Sequence, residues 1–346
     1  IPISVSGVDG DRLTLTIRSV GAVSAAITAT APGDAIGLRG PFGTAATPRF
    51  NNNSAFGDVF LIENTNKGKS QQLTLSLTKP FTGESDWSWM VGYTYTDAEE
   101  VGALTSSTAG SGYGNQYGFN VNDPTSSTAR YEIKDRFTGT LNWKHSFFGD
   151  YETQIGLIYE GRSGRPFSYI FSGDANGDNR TFNDLFYVPN GDVLFGSLSS
   201  SGVFTANPAM AAAFQSFLDS HPDLARYAGQ HAPENAFNAG WVHTFDVRLT
   251  QQLPGFYEGH KSELWIDIQN IGNLLNDDWG HILDYGFNGN EAVATLVGIY
   301  QGQYVYGYRT GTQFGQPAAL GVPTDADAQT NGISQWSVQV GFKYSF

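Results

Sequence analysis

The sequence predicts an all-β protein whose antiparallel strands form a transmembrane β-barrel, and three observations lead to that fold class. Segments in which apolar and polar residues alternate recur from about residue 58 to the end of the chain. The connections between them are alternately short and long, as in barrels of the outer membrane. No segment approaches the ~18 apolar residues that a spanning helix requires, so this chain can cross a bilayer only as a closed barrel.

Residues 336–346 form the clearest predicted strand. Successive side chains of a strand point to opposite faces, and here one face is apolar while the other carries hydroxyl, amide and lysine groups. We expect the apolar face to meet lipid and the polar face to meet water in a lumen. The apolar positions continue to the carboxyl terminus and are Trp336, Val338, Val340, Phe342, Tyr344 and Phe346.

Three predicted hairpins repeat this alternation. Their short turns lie at 82–86, 148–151 and 254–260 and are rich in glycine, aspartate and other turn-forming residues. Most of their large apolar residues share one parity within each strand. In chain order these residues are Leu73, Leu75 and Leu77; Trp87, Trp89, Val91, Tyr93 and Tyr95; Phe137, Leu141, Trp143 and Phe147; Ile155, Leu157 and Tyr159; Trp241, Phe245, Val247 and Leu249; and Leu264, Ile266 and Ile268.

Much longer polar connections, at roughly 98–129, 171–236, 277–293 and 309–332, separate the hairpins. In an outer-membrane barrel such loops lie outside the cell, whereas loops of this length are uncommon in a compact soluble domain. The charged residues Asp246, Arg248, Glu263 and Asp267 have the parity opposite to the rings. We expect them to face the lumen, although in a soluble β-sandwich they would form the solvated face.

The connection 171–236 contains a predicted helix. Asn207 and Pro208 are a helix cap and a first-turn residue, and an apolar segment follows to Leu218. A second helical start covers 220–227. We interpret both as a small folded cap within the loop rather than as a domain, and residues 1–55 as an ambiguous region of strand or loop.

Composition excludes several functions. The net charge is −14, from 19 Lys and Arg against 33 Asp and Glu, and nucleic-acid binding requires clustered basic residues instead. Cysteine is absent, which excludes disulfides, thiolate metal sites and a cysteine nucleophile. The chain begins at Ile1 with no visible signal peptide, so we expect further sequence upstream.

One segment has the residue pattern of a cation site. Asp174, Asn176 and Asp178 alternate along the chain, and Asp184 follows. Oxygen-bearing side chains at every second position can converge on calcium. Leu185, however, occupies the position where a calcium loop has a bidentate glutamate, and segments rich in Asp and Asn also form ordinary turns. The sequence therefore predicts either a calcium site or a hydrogen-bonded turn here.

The histidines do not indicate catalysis. None of them forms a metal-spaced pair, and nucleophile and phosphate-binding motifs are absent from the sequence. His281 near Asp284 has the composition of a protease dyad on a barrel rim, but one such pair arises easily by chance. We predict no enzyme activity and no catalytic residue. The six histidines are His145, His221, His231, His243, His260 and His281.

Several segments, in order across about residues 56–346, together resemble the C-terminal part of a TonB-dependent receptor barrel of the Oar-like branch. The final strand also resembles the signal that the outer-membrane assembly machinery reads. The resembling segments are Asp58-Val-Phe-Leu-Ile-Glu-Asn-Thr-Asn-Lys-Gly68, Arg162-Ser-Gly-Arg-Pro-Phe-Ser-Tyr169, Asn176-Gly-Asp178 with Asn183-Asp-Leu-Phe-Tyr-Val-Pro189, Phe245-Asp-Val-Arg-Leu-Thr-Gln251, and Asp267-Ile-Gln-Asn-Ile-Gly-Asn-Leu-Leu-Asn276 leading to Trp279-Gly280.

This resemblance implies about nine or ten strands of a 22-stranded barrel in a Gram-negative outer membrane, with an N-terminal plug and the energy-coupling protein TonB as partners. Outer-membrane lipid and lipopolysaccharide would surround the wall, and the long loops would capture an unknown ligand. No plug or TonB box occurs in this sequence, so both either precede Ile1 or are absent. The alternatives are a self-contained barrel acting as an adhesin or rim protease, and a soluble β-sandwich or carbohydrate-binding module.

Overall fold

The structure, a computed structural model, describes residues 3–9, 12–17, 65–103, 106, 108–118, 124–178, 180–307, 324–325 and 334–346. The ambiguous stretches at 22–31 and 51–53, the first part of the resembling segment 58–68 and most of the predicted loop 309–332 lie outside these residues. The described residues fold mainly into antiparallel strands, which confirms the prediction of an all-β protein. Within them, no helix has the length and apolar composition to cross a bilayer.

Strands and helices are numbered in chain order. The strands are β1 Ile3–Asp9, β2 Arg12–Ile17, β3 Lys69–Lys79, β4 Trp87–Glu100, β5 Ser127–Thr128, β6 Asp135–Phe148, β7 Tyr151–Arg162, β8 Pro166–Phe171, β9 Tyr187–Val188, β10 Val193–Leu198, β11 Phe204–Ala206, β12 Gln230–His231, β13 Phe237–Asn238, β14 Val242–Pro254, β15 Lys261–Gln269, β16 Leu283–Asp284, β17 Asn290–Tyr300, β18 Gln303–Gly307, β19 Thr324–Asp325 and β20 Ser337–Ser345. The helices are α1 Ala109–Gly114, α2 Pro208–Ser220, α3 Pro222–Ala225 and α4 Ile271–Leu275.

The longest strands form one antiparallel sheet in the order β3-β4-β6-β7-β14-β15-β20, which we call the meander sheet. The predicted hairpins β3–β4, β6–β7 and β14–β15 are confirmed, and their short turns all lie at one end, the turn end. The long connections leave from the opposite end, the connection end. Among the described residues β3 and β20 are the two edges, and no pairing between them closes the sheet.

The strand register brings the predicted apolar residues onto one face. Directly opposed residues of antiparallel strands lie on the same face, and Trp87 opposes Trp143, which opposes Ile155. The row continues through Leu249 and Ile266 to Val340. The prediction of a single apolar parity is therefore confirmed across the whole meander sheet.

The side chains of this apolar face are not buried in a protein core. Leu77 is 67% exposed, Val340 62% and Phe342 56%. Trp89 and Trp143 are only partly buried. A soluble sandwich would cover such a face with a second sheet, and the described part of the chain does not.

The described core lies instead in the connections. Parts of 163–241 and 270–336 form a second sheet in the order β11-β10-β18-β17-β8-β13, with α2 and α3 packed nearby; we call this assembly the connection module. Two of its pairings, β8 with β17 and β10 with β18, are parallel. The core contains large aromatic residues such as Phe171, Phe186 and Tyr306.

The connections form more than the small cap expected within the loop 171–236, because residues distant in the chain share a sheet and a core. The described part of the chain contributes eight strands to the meander sheet, counting the short β5, which pairs with β4 at the connection end. Strands β17 and β18 join the second sheet instead. The total of nine or ten wall strands stays a prediction, because parts of the chain lie outside the described residues.

The predicted helix is confirmed. Helix α2 begins after Asn207, whose side chain accepts a hydrogen bond from the Met210 backbone N–H at 3.1 Å, and Pro208 is its first residue. This arrangement satisfies backbone donors that a helix start leaves unpaired. Phe214 and Phe217 on its inner face are buried in the core of the connection module.

We expect replacement of Gly341 by alanine to destabilise the meander sheet. Gly341 opposes Trp265 on the polar face, and a Cβ atom at this position would overlap the indole ring of Trp265. Overpacking of this kind costs ~1–3 kcal/mol. Thermal unfolding, followed by tryptophan fluorescence, measures the loss. Gly139→Ala is the control, because its Cβ would meet the nearest atom of Tyr159 at an ordinary 3.7 Å; equal effects of the two changes would contradict the prediction.

Candidate functional site

The polar face of the meander sheet carries charged pairs that join neighbouring strands. Arg248 lies 3.1 Å from Asp267, and Arg136 lies 2.7 Å from Glu160. Glu263 opposes Lys343 in the register. The charged residues that the sequence predicts on the face opposite to the aromatic rings therefore lie on that face. Exposed pairs of this kind contribute little stability in water. Their placement on one face indicates that this face contacts a polar environment.

A groove of about 280 Å³ opens on this polar face. It crosses four strands, from β6 to β15, and its lining includes Asn142, Gln154, Asp246, Arg248 and Asp267. The groove therefore brings the charged residues Asp246, Arg248 and Asp267 together in one depression of the polar face.

The apolar face is divided into aromatic and aliphatic zones. At the connection end, Tyr93 packs against Phe137 at 4.8 Å between ring centroids, and Tyr159 packs against Phe245 at 4.8 Å. At the turn end, Trp87 lies 6.2 Å from Trp143. Between these zones one cross-strand row is aliphatic from β6 to β20 and continues through Trp89 of β4 to Lys79 of β3. Its aliphatic residues are Leu141, Leu157, Val247, Ile268 and Val338.

The four residues predicted as calcium ligands lie in one loop that follows β8. The Asp174 carboxylate accepts hydrogen bonds from the backbone N–H groups of Gly177 and Asp178, and Asn176 accepts one from Asp178 at 2.9 Å. Asp184 reaches back across the loop and accepts a hydrogen bond from the Ala175 N–H at 2.6 Å. The turn interpretation is thus confirmed in its geometry, while metal binding stays a prediction.

Asp184 and its neighbour Asn183 are completely buried, each at 0% exposure. Asp184 Oδ1 and Asn183 Oδ1 have no hydrogen-bond partner. Burial raises the pKa of the Asp184 carboxyl to about 7, and the carboxylates of Asp178 and Asp174 raise it further, while hydrogen bonds from Ala175 and Asn176 oppose the rise. A buried polar atom without a partner is costly, so these two oxygens need an explanation.

No group of three Asp, Glu or His side chains in the described part of the chain converges as a metal site would. A cation at this loop therefore requires amide or backbone oxygens as well as carboxylates, which calcium accepts readily. His281 contacts the backbone carbonyl of Asp277, and the side chain of Asp284 lies outside the described residues.

A second buried polar cluster was not predicted. Glu234 accepts hydrogen bonds from the Tyr117 backbone N–H at 3.3 Å and the Ser127 hydroxyl at 3.0 Å. Arg130 is buried beside it and lies 4.8 Å from the centre of the Tyr117 ring. The cluster joins the connection after β4 to the connection module. More than a hundred residues separate Glu234 from its partners, and no local pattern in the sequence marks it.

Comparison of the chain with family models, with curated proteins and with solved structures finds no match in any of the three. The resemblance to TonB-dependent receptors accordingly stays a prediction.

We expect Glu234→Gln to change how stability depends on pH. Burial raises the pKa of Glu234 from 4.5 to about 7, and Glu100 adds to the rise, while Ser127, Tyr117 and Arg130 oppose it. The folded chain therefore holds this proton to higher pH than the unfolded chain does. Its contribution is fully present below about pH 4.5 and is lost as the pH rises through about 7.

The variant stays neutral, so its stability relative to the wild type should increase between pH 4.5 and 7 and be constant at lower pH. Thermal unfolding at a series of pH values measures this difference. Glu258→Gln, in an exposed turn, is the control. A difference that does not vary with pH would contradict the raised pKa.

Proposed function

We propose that this chain forms part of the wall and the external loops of a β-barrel in a Gram-negative outer membrane. The observation that carries the proposal is the contrast between the two faces of the meander sheet. The apolar face is uncovered among the described residues, and the opposite face holds the ion pairs and the groove. Lipid on one side and a water-filled lumen on the other would solvate both faces.

The zones of the apolar face support a bilayer in particular. Outer-membrane barrels have an apolar band ~25 Å tall between two girdles of aromatic residues. Strand β20 has nine residues, and nine residues at ~3.3 Å each and a tilt of ~40° rise by roughly 23 Å. The apolar residues of β20 would lie within this band, where a charge near the midplane costs ~2–4 kcal/mol.

The two edges of the meander sheet support a larger barrel. In hydrocarbon every backbone N–H and C=O group must have a partner, and β3 and β20 each have one unpaired edge among the described residues. Further strands must therefore pair with these edges if the sheet spans a membrane. A TonB-dependent receptor of the Oar-like branch, with 22 strands as the resemblance implies, would supply them.

In this proposal the connection module lies outside the cell and captures a ligand, while a plug elsewhere in the protein gates its passage with energy from TonB. The module suits this role because its own aromatic core holds the loops in place. Binding residues commonly lie on loops that a rigid scaffold positions. The barrel assembly machinery would recognise the final strand with Phe346.

Adjacent single-cysteine variants test the membrane orientation. The chain lacks cysteine, so Val340→Cys and Gln339→Cys introduce the only thiols. These neighbours lie on opposite faces of β20 because strand side chains alternate. With spin labels on protein in lipid vesicles, we expect position 340 to be accessible to oxygen dissolved in lipid and position 339 to a water-soluble nickel complex. Equal access of the nickel complex to both positions would contradict the proposal.

Transport is tested separately from orientation. The coding sequence that contains this chain should encode a plug and a TonB box, and deletion of that box should abolish uptake of the ligand while leaving ligand binding at the cell surface. A barrel that lacks both parts but still binds cells or cleaves peptides would instead support the adhesin or rim protease.

A further inference from the structure

The loop between β8 and β9 contains two buried oxygen atoms to which no residue of the loop donates a hydrogen bond. Asp184 Oδ1 and Asn183 Oδ1 are fully buried without hydrogen-bond partners. The other atoms of both side chains are used: Asp184 Oδ2 accepts from the Ala175 N–H, and Asn183 Nδ2 donates to Asp178 Oδ2 at 3.1 Å. Both side chains are therefore held in place, and rotation toward water would break these bonds.

The unpartnered oxygens belong to a loop of concentrated negative charge. The Asp174 carboxylate accepts a hydrogen bond from the Asp178 N–H at 3.0 Å. The Asp178 carboxylate in turn accepts one from the Asn183 side-chain amide. Asp178 and Asn183 thus join the first part of the loop to the buried segment that contains Asp184.

We propose that this loop binds one calcium ion, with Asp178, Asn183 and Asp184 as ligands and with the Asn176 side chain and backbone oxygens of the loop completing the oxygen set. A calcium ion would satisfy the two buried oxygens and offset the charge of the Asp178 and Asp184 carboxylates at once. Asp184 then supplies the acidic group that the sequence pattern lacks at Leu185, one position earlier than in the usual calcium loop.

The donor set selects calcium over other common ions. All of the proposed ligand atoms are oxygens, and amide oxygens contribute beside carboxylates. Zinc prefers nitrogen and sulfur ligands, and magnesium requires a near-ideal octahedron and retains its waters. Calcium accepts six to eight oxygens in irregular geometry, which suits a short loop containing two Asx-type turns.

The ion would strengthen the connection module rather than take part in chemistry. Both ends of the loop enter the core: the Phe171 N–H donates to the Asp184 carbonyl at 2.9 Å, and the Phe186 N–H donates to the Tyr169 carbonyl at 3.0 Å. Ala175, within the loop, is itself buried in that core. Calcium that fixes the loop would therefore also fix the packing of Phe171 and Phe186. Calcium binding at this loop is independent of the membrane proposal, because it involves only residues of the module.

Calcium binding to the full-length protein tests the proposal. The protein is purified in detergent free of lipopolysaccharide, which itself binds divalent cations, then stripped with a chelator and titrated with CaCl₂ by calorimetry. We expect one ion per chain with a dissociation constant of roughly 10⁻⁴–10⁻³ M, the range of extracellular calcium modules. Magnesium at the same concentrations should bind at least tenfold more weakly.

Matched variants locate the site. Asp184→Asn and Asp178→Asn retain side-chain size and should each weaken calcium binding at least tenfold, while Asp219→Asn, on the exposed side of α2, should not. Calcium should also slow proteolytic cleavage within residues 171–188 of the wild type but not of the two loop variants. If Asp184→Asn fails to fold, calcium titration of the wild type and of Asp178→Asn still tests whether the loop binds calcium.

Two outcomes would overturn the proposal. One is the absence of saturable calcium binding by the wild type. The other is an Asp184→Asn protein more stable than the calcium-free wild type, with no effect of calcium on either, since a proton on Asp184 would then solve the burial problem. A negative result would leave the barrel proposal standing, and a failed orientation test would leave the calcium site standing.

Discussion

The meander sheet depends on one constraint: each strand must pair in the register that keeps its apolar parity on the shared face. A slip of one residue would turn every side chain of that strand to the opposite face, placing Arg248 among the rings and Phe245 in the polar groove. The cross-strand row from Trp87 to Val340 shows that the six strands from β4 to β20 obey this constraint together. The ion pairs and aromatic zones follow from it, because each requires neighbours at the same level on one face.

The hairpins were predictable because the information that specifies them is local. The period-two alternation and the short turns lie within about thirty residues of sequence, and strands β6 and β7 pair as that pattern indicates. The connection module was not predictable, because its sheet joins residues far apart in the chain. Strand β8 pairs in parallel with β17 more than a hundred residues later. Such a pairing has no signature in either segment, and both segments are short apolar runs that also fit a wall strand.

The loop that contains Asp184 and the cluster around Glu234 differ in the same way, because the first is local in sequence and the second is not. Asp174, Asn176, Asp178 and Asp184 lie within one loop, so their spacing could be read directly from the sequence. The burial of Asp184 and Asn183 could not, because it arises from the core that Phe171 and Phe186 build around the loop. Glu234 was missed altogether, since its partners Tyr117 and Ser127 come from the connection after β4. The charge and residue types in the sequence predict a cation site in this loop. Which oxygen atoms are buried without hydrogen-bond partners depends on tertiary packing, which the sequence pattern does not show.

The construction of the connection module from separate stretches couples it to the meander sheet. The Tyr117 hydroxyl donates a hydrogen bond to the Asn288 carbonyl at 2.6 Å, and the Tyr117 backbone N–H donates to the Glu234 carboxylate, so three successive connections meet in one place. Each connection leaves the sheet from a different hairpin. A change of register in any strand from β4 to β15 would displace these connections relative to one another, so a destabilising change in either assembly should also weaken the other.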